Sequence, residues 1–200
     1  MTLDQLRPVA NRLLEPFVVG ANRLGLTPNG VSVVAFLFAV AAGASFVVAT
    51  PVAYVAGAVF VFVNGWLDLL DGQLARRQGV DSKAGDLLDH VLDRYADIVV
   101  IAGLAAGIEQ YALGLAAVTG VLMTSYLGTQ IQAVGLGREY GGLVGRADRL
   151  ALVGVTGVVA AVVGDPVAGL RPAGWLLAFF AVVGHLTALQ RFWGAWGDLS

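Results

Sequence analysis

The sequence predicts an all-α integral membrane protein with six transmembrane helices preceded by an interfacial amphipathic helix. Two observations carry this prediction. The 200 residues are 58% hydrophobic and only 13% charged, and the mean hydropathy is +0.78, whereas about a quarter of the residues in a soluble domain are charged. Apolar stretches close to the ~20 residues that a helix needs to cross a bilayer recur six times. They cover roughly residues 31–49, 52–77, 84–107, 110–136, 147–164 and 172–194.

The first 26 residues form a predicted amphipathic juxtamembrane segment. Leucine and valine recur there among charged residues that include Arg7, Arg12, Glu15 and Arg23. A helix of this kind lies in the plane of the membrane interface, although Pro8 and Pro16 predict breaks in it. Residues 27–200 then form the six-helix transmembrane domain, and the residues from Thr27 to Gly30 predict a turn at its start.

Lysine and arginine are distributed unevenly over the predicted connections. Besides those before the first span, they cluster at two connections: Arg76, Arg77, Lys83, Arg138, Arg146 and Arg149. The turns near residues 50 and 108 carry none. By the positive-inside rule, the termini and the connection at residues 76–83 face the cytoplasm, and we expect a multi-pass protein of the plasma membrane. The net charge of −2 gives no reason to expect a nucleic-acid partner, and the absence of cysteine excludes disulfides and thiolate metal sites.

Residues 68–93 concentrate acidic side chains in an otherwise apolar chain. Six of the fourteen acidic residues lie in these 26 positions. Each charged side chain at membrane depth costs roughly 2.5–3.5 kcal/mol on insertion scales, so this concentration needs a compensating charge. We expect a bound cation.

The spacing of four aspartates predicts where the cation lies. Asp68 and Asp71 are three residues apart, and Asp89 and Asp93 are four apart, so each pair shares one face of a helix. If residues 78–83 turn the chain back, two helices face each other with four carboxylates between them. Oxygen ligands suit Mg²⁺ or Mn²⁺, and two such ions are able to clamp a phosphate or diphosphate.

The same stretch forms a signature with fixed intervals, Asp68-x2-Asp71-Gly72-x2-Ala75-Arg76-x8-Gly85-x3-Asp89-x3-Asp93. It resembles the full signature of the CDP-alcohol phosphatidyltransferases, with every specified residue and both spacings in place. Segments at residues 26–29, 146–150 and 190–191 also resemble segments of that family. The resemblance therefore covers most of the chain and is strongest at its centre.

The resemblance implies a phospholipid-biosynthesis enzyme that transfers the lipid phosphate of a CDP-lipid to a polar alcohol and releases CMP. It implies two ions, Mg²⁺ or Mn²⁺, with Asp68 and Asp89 touching both, Asp71 touching one and Asp93 the other. Asp93 is the implied general base. A homodimer is also implied. The residues implied to bind the CDP-lipid are Thr27, Pro28, Asn29, Gly30, Gly72, Ala75, Arg76, Ser82 and Gly85.

The acceptor alcohol is indicated by three arginines. Arg146, Arg149 and Arg191 resemble arginines that line an anionic acceptor pocket in the phosphatidylinositol-phosphate synthase branch of the family, which favours a phosphorylated polyol such as inositol phosphate or glycerol phosphate. That branch carries a Lys-x-Arg pair near the end of its fourth helix, where residues 129–132 here read Thr-Gln-Ile-Gln. An uncharged alcohol such as serine therefore stays open. The donor is either CDP-diacylglycerol or CDP-archaeol.

Two other classes of protein also place carboxylates between membrane helices. A membrane prenyltransferase with Asp-rich diphosphate motifs would use Mg²⁺ in the same way, but it gives no reason for Gly72, Arg76 or the four-residue repeat from Gly85 to Asp93. A carboxylate-lined cation transporter would distribute its acidic residues over several spans. Here they cluster at one end of the predicted spans.

Overall fold

The structure is a computed structural model that describes residues 7–137 and 144–199, with side chains described from residue 12 onward. The described residues form seven α-helices, which confirms the all-α prediction. They are α1 Arg7–Arg23, α2 Pro28–Val48, α3 Pro51–Gln78, α4 Lys83–Gly107, α5 Tyr111–Ala133, α6 Arg146–Val162 and α7 Pro172–Leu199. Arg138, counted above among the connection charges, and residues 1–6 of the juxtamembrane segment lie outside the described residues.

Four of these helices are long and apolar enough to cross a membrane: α2, α3, α5 and α7. The other two helices of the predicted domain differ from them for separate reasons. The first half of α4 carries the charges of the aspartate motif, which lowers its hydropathy. Helix α6 has 17 residues and is about 25 Å long at 1.5 Å per residue, a little short of the ~30 Å hydrocarbon core.

Helix α1 is continuous, so the predicted breaks at Pro8 and Pro16 are wrong. Pro16 lies inside the helix, where proline removes one backbone hydrogen bond at a cost of about 3 kcal/mol. Packing offsets that cost. Leu14 and Val18 are buried against Leu70 and Leu74 of α3, while the neighbouring Leu13 and Phe17 stay more than half exposed. The helix is thus amphipathic and docked onto the start of the bundle.

The predicted turn at residues 27–30 is also wrong in detail, because these residues begin a helix. Thr27 is the N-cap of α2, and its hydroxyl accepts a hydrogen bond from the Gly30 backbone N–H at 3.2 Å. Pro28 occupies the first helical turn, where its missing N–H costs nothing and its fixed φ suits the helix. The first predicted span therefore starts three residues too late.

Helix α2 is central to the bundle, because it packs against both α3 and α4, while α6 packs against α3 and α7 against α5. The contact of α2 with α4 is very close. A Cβ added to Gly103 of α4 would lie 2.3 Å from the carbonyl oxygen of Gly43 in α2. Absence of a side chain is what lets the two backbones approach. Helices α3 and α4 both pack on α2, and their carboxylates converge at the aspartate motif.

Candidate active site

Three aspartates of the signature meet where α3 and α4 converge. Asp68 of α3 and Asp89 and Asp93 of α4 each offer a carboxylate oxygen, and these atoms all lie within 4.8 Å of one another. All three side chains are partly buried. The juxtaposition predicted from the spacing is therefore present for these three residues.

The short connection between α3 and α4 aligns the two halves of the motif. Gly79 ends α3 in the left-handed conformation with φ of 64°, which glycine adopts without strain. Ser82 then caps α4, and its hydroxyl accepts a hydrogen bond from the Gly85 backbone N–H at 3.1 Å. Ser82 thus has a structural role in addition to any contact with a ligand.

Asp71 lies one helical turn after Asp68 but outside the group of three. It is buried, and its Oδ2 accepts a hydrogen bond from the Ser32 hydroxyl of α2 at 2.6 Å. A charged acceptor makes this a stronger hydrogen bond than a neutral one. Sequence reasoning missed Ser32, which joins α2 to the floor of the site.

Arg146, the first residue of α6, links both halves of the carboxylate cluster. Its Nη1 lies 2.5 Å from Asp68 Oδ2, and its Nη2 lies 2.6 Å from Asp93 Oδ1. The resemblance implies a contact with the acceptor; in the structure the guanidinium also contacts two predicted metal ligands. It places a positive charge between carboxylates that would otherwise repel each other.

A second ion-pair group lies directly behind the cluster. Asp97 of α4 and Arg149 of α6 are both buried, and Arg149 Nη2 lies 3.1 Å from Asp97 Oδ2. Arg94 lies 3.7 Å from both Asp93 and Asp97 and contacts the Ser125 hydroxyl of α5. The sequence did hold a signal for Asp97, because it continues the four-residue series from Gly85 through Asp89 and Asp93.

An open cavity of about 1680 Å³ leads from the carboxylate cluster along the bundle. Its polar end is lined by three aspartates and four arginines, and its other end by apolar residues of α3 and α6. The charged lining residues are Asp68, Asp89, Asp93, Arg94, Arg146, Arg149 and Arg191. Arg191 of α7 is tied to α5, since its Nη1 donates to the Thr124 carbonyl at 2.6 Å.

The residues predicted to bind the CDP group lie around the adjacent starts of α2 and α4 and the end of α3. A Cβ added to Gly85 would lie 3.3 Å from Asn29 Oδ1, so these two residues face each other across the helix starts. The Arg76 guanidinium folds back to 3.5 Å from the position of a Cβ on Gly72. Among the described residues, Arg76 has no salt-bridge partner, whereas neighbouring Arg77 pairs with Glu15 at 2.6 Å. Ala75 contributes its carbonyl to the cap of α3, and Pro28 and Gly30 lie in the first turn of α2.

Comparison with known families decides the identity of this arrangement. The family model for CDP-alcohol phosphatidyltransferases matches residues 25–196. The chain belongs to this family. The match includes every residue of the signature and the helices that carry the arginines, so the resemblance inferred from the sequence is confirmed.

Several relatives match the chain over nearly its whole length. An archaetidylinositol phosphate synthase of Methanothermobacter thermautotrophicus is 30% identical and covers 98% of this chain and 95% of its own. The phosphatidylinositol phosphate synthase PgsA1 of Mycobacterium tuberculosis with CDP-DAG bound has a TM-score of 0.76 at 29% identity, covering 92% of this chain and 94% of its own. The same protein in complex with manganese and citrate has a TM-score of 0.75 at 29% identity, covering 90% of this chain and 88% of its own.

The chain is therefore a metal-dependent CDP-alcohol phosphatidyltransferase. The donor set fits a divalent ion, because three carboxylates supply hard oxygen ligands within one small volume. Mg²⁺ and Mn²⁺ take such ligands readily, and thiolate chemistry is impossible in a chain with no cysteine. The enzyme transfers the lipid phosphate of a CDP-lipid to an alcohol.

Proposed function

We propose that the chain transfers the lipid phosphate of CDP-diacylglycerol or CDP-archaeol to a phosphorylated polyol, inositol phosphate or glycerol phosphate. One observation carries this proposal: four arginines line the polar end of the cavity against three aspartates. With divalent cations added, the positive charges at this end of the cavity exceed the negative ones. Such a lining suits a donor diphosphate and an acceptor phosphate bound together. The names of the relatives, archaetidylinositol and phosphatidylinositol phosphate synthase, support the same acceptor class.

The cationic wall also separates this proposal from a cation transporter. A transporter would distribute its acidic residues over several spans, whereas the aspartates that line this cavity lie at one end of it beside four arginines. A prenyl diphosphate would use the carboxylate cluster and its ions, but it brings no second phosphate for the arginines beyond the cluster. A phosphorylated acceptor brings one, and guanidinium groups bind phosphate oxygens in bidentate fashion.

We propose that Asp68, Asp71, Asp89 and Asp93 hold two ions, Mg²⁺ or Mn²⁺, which supply charge neutralisation for the donor diphosphate. Asp93 accepts the proton of the acceptor hydroxyl as its oxygen attacks the phosphorus attached to the lipid. A new oxygen–phosphorus bond forms, the phosphoanhydride bond breaks, and CMP leaves. The Asp93 carboxylate is held in one orientation by its contacts with Arg146 at 2.6 Å and Arg94 at 3.7 Å.

The CDP group of the donor is proposed to bind where α2, α3 and α4 meet. Arg76 would pair with a donor phosphate, and Gly72 leaves room beside it. The facing wall is formed by Asn29, Ser82 and Gly85. The start of α2 is fixed by Thr27, Pro28 and Gly30. Ala75 has a small side chain, which leaves room for the ligand beside α3. The geometry that supports this is the packing of Asn29 against Gly85 together with an Arg76 that lacks a carboxylate partner among the described residues.

We further propose six membrane-spanning helices, α2 to α7, with α1 in the interface and the active site facing the cytoplasm of the plasma membrane. The support is the charge pattern: Arg76, Arg77 and Lys83 lie at the motif end of the bundle, while among the described connections at the opposite end Arg171 is the one basic residue. A homodimer is proposed from the family resemblance. We also propose that residues 1–26 are a juxtamembrane segment and that residues 27–200 carry the catalysis. The division is one of function, because α1 packs on α3.

An acceptor panel tests the proposal. Purified protein in detergent is given CDP-diacylglycerol or CDP-archaeol, Mg²⁺ and, in separate reactions, inositol phosphate, glycerol phosphate, inositol, glycerol or serine, and CMP release is measured. We expect rapid release with a phosphorylated polyol and at most slow release with its unphosphorylated counterpart. Faster release with serine or inositol would overturn the acceptor assignment. No CMP from any acceptor, with cation flux into liposomes, would favour the transporter.

A further inference from the structure

A row of charges of alternating sign runs from the carboxylate cluster into the protein interior. It consists of Asp68, Arg146, Asp93, Arg94, Asp97 and Arg149. The first three are joined at 2.5 and 2.6 Å, Arg94 lies 3.7 Å from the aspartate on either side, and the row ends with the 3.1 Å contact of Asp97 with Arg149. Because the row connects α3, α4 and α6, the interior residues are coupled to the predicted base.

Asp97 occupies a special position in this row. It is 7% exposed and is not among the residues lining the cavity, whereas both of its cationic partners, Arg94 and Arg149, do line it. A buried carboxylate is costly unless it is paired and hydrogen-bonded. Asp97 is therefore placed to act on a substrate in the cavity through these two arginines and not by direct contact.

Arg149 has donor capacity that Asp97 does not use. The Arg149 side chain is 9% exposed, and its Nε is buried without a hydrogen-bond acceptor among the described residues. A buried N–H that lacks an acceptor costs about 1–3 kcal/mol. Arg149 is also among the residues that line the cavity, where a phosphate oxygen would be an acceptor of the right chemistry for its guanidinium group. Asp97 holds Nη2 of the same planar group, so it fixes the direction in which the remaining N–H groups point.

We propose that Asp97 is a positioning residue for acceptor binding: it orients the Arg149 guanidinium toward the acceptor phosphate and holds Arg94 beside Asp93. This inference rests on the proposed function, since it takes Arg149 as part of the acceptor pocket. A purely structural ion pair would instead stabilise the contact of α4 with α6 and affect donor and acceptor equally. The two roles differ in which KM value changes.

The test compares Asp97→Asn, Arg149→Gln and the double variant, with KM for a phosphorylated acceptor, KM for the CDP-lipid and kcat measured by CMP release at saturating Mg²⁺. We expect Asp97→Asn to raise the acceptor KM about tenfold, at the lower end of what outer-shell partners of a charged site contribute, and to leave the donor KM within about twofold. In the Arg149→Gln background, Asp97→Asn should raise the acceptor KM no further. Asp86→Asn is the matched control, because Asp86 is an exposed aspartate of the same helix.

The outcomes distinguish failure of the proposed acceptor pocket from failure of the proposed role of Asp97. If Arg149→Gln leaves the acceptor KM unchanged, the proposed acceptor pocket is wrong and the inference fails with it. If Arg149→Gln raises it but Asp97→Asn does not, or raises donor and acceptor KM together, only the inference fails. An equal effect of Asp97→Asn with and without Arg149 would also overturn it. Should Asp97→Asn not fold, Asp97→Glu keeps the charge but displaces it by one methylene, and an unchanged acceptor KM in that variant overturns the proposal.

Discussion

Arg146 and Asp93 form a 2.6 Å ion pair that joins the first residue of α6 to the proposed general base on α4. The other nitrogen of the same guanidinium lies 2.5 Å from Asp68, so one side chain spans both halves of the signature. Its position is closer to the reacting centre than that of Arg149 or Arg191, which contact Asp97 and the Thr124 carbonyl. The three arginines are therefore not equivalent.

This difference predicts different kinetic effects. Arg146→Gln removes a charge beside the base and beside a metal ligand, so we expect kcat to fall by roughly 10²–10³-fold, as for loss of an electrostatic group at a reacting centre. Arg191→Gln should mainly raise the acceptor KM. Steady-state CMP release with each substrate varied in turn measures both quantities. A larger loss of kcat in Arg191→Gln than in Arg146→Gln would contradict this ranking.

Removal of a cluster carboxylate should act through metal binding. Asp68→Asn and Asp89→Asn each delete one hard ligand while preserving shape, so we expect activity to fall more than about hundredfold and the Mg²⁺ concentration for half-maximal rate to rise. Mn²⁺ binding followed by electron paramagnetic resonance gives a readout independent of turnover. Asp81→Asn, an exposed aspartate in the connection from α3 to α4, is the control and should bind Mn²⁺ as the wild type does. Wild-type Mn²⁺ affinity in either cluster variant would refute the assignment of ligands.

Asp93→Asn should separate chemistry from donor binding. The amide cannot accept the proton of the acceptor hydroxyl, so transfer should stop, while the CDP site around Asn29, Gly72 and Arg76 is left intact. We expect CDP-lipid affinity, measured by equilibrium binding in detergent at saturating Mg²⁺, to remain within about threefold of wild type, since Asp68, Asp71 and Asp89 remain as metal ligands and the residues around the CDP group are unchanged. Substantial CMP release by this variant would show that another group accepts the proton.

Two adjacent arginines at the end of α3 offer a matched pair for the donor site. Arg77 is committed to Glu15 of α1 at 2.6 Å, whereas Arg76 lies over Gly72. Arg76→Ala should raise the CDP-lipid KM about ten- to hundredfold through loss of a charge-assisted phosphate contact worth about 1.5–3 kcal/mol. Arg77→Ala should leave that KM near its wild-type value and at most loosen α1. Equal donor KM values in the two variants would exclude Arg76 from the CDP site.

The sequence was most informative where function fixes the spacing. Asp89 and Asp93 share one face of α4 because a four-residue interval is a local property of a helix, and that interval is readable without a structure. Asp68 joins them because the short connection at residues 79–82 turns the chain back from α3 to α4. Ser32 and Arg94 escaped prediction as members of the site because their roles depend on which helices pack together, whereas Asp97 continues the four-residue series of α4 and could have been found from it. No local pattern says that α2 lies between α3 and α4 or that α6 adjoins α4.

Local residue preferences gave wrong predictions at two places, where packing or helix capping determined the structure. Pro16 breaks isolated helices, yet the burial of Leu14 and Val18 against α3 keeps α1 continuous. Thr27 and Pro28 are common in turns, and here they are the N-cap and first turn of α2. The two residue types serve turns and helix starts equally well. Only the residues that follow decide between the two.

The close contact of α2 with α4 gives a prediction about stability, and through it about the site. A Cβ on Gly103 would lie 2.3 Å from the Gly43 carbonyl oxygen, which is backbone and cannot move aside alone. Gly103→Ala should therefore force the helices apart and lower the unfolding free energy by about 1–3 kcal/mol or more. Gly154→Ala in α6, where a Cβ would meet nothing within 4 Å, is the matched control. It should be neutral or slightly stabilising, because alanine favours helix more than glycine.

Thermal unfolding in detergent measures the stability of both variants. Because Asp89 and Asp93 are carried on α4, loss of stability in Gly103→Ala should be accompanied by weaker Mg²⁺ binding. A Gly103→Ala protein as stable as Gly154→Ala would mean that α2 and α4 are not in backbone contact.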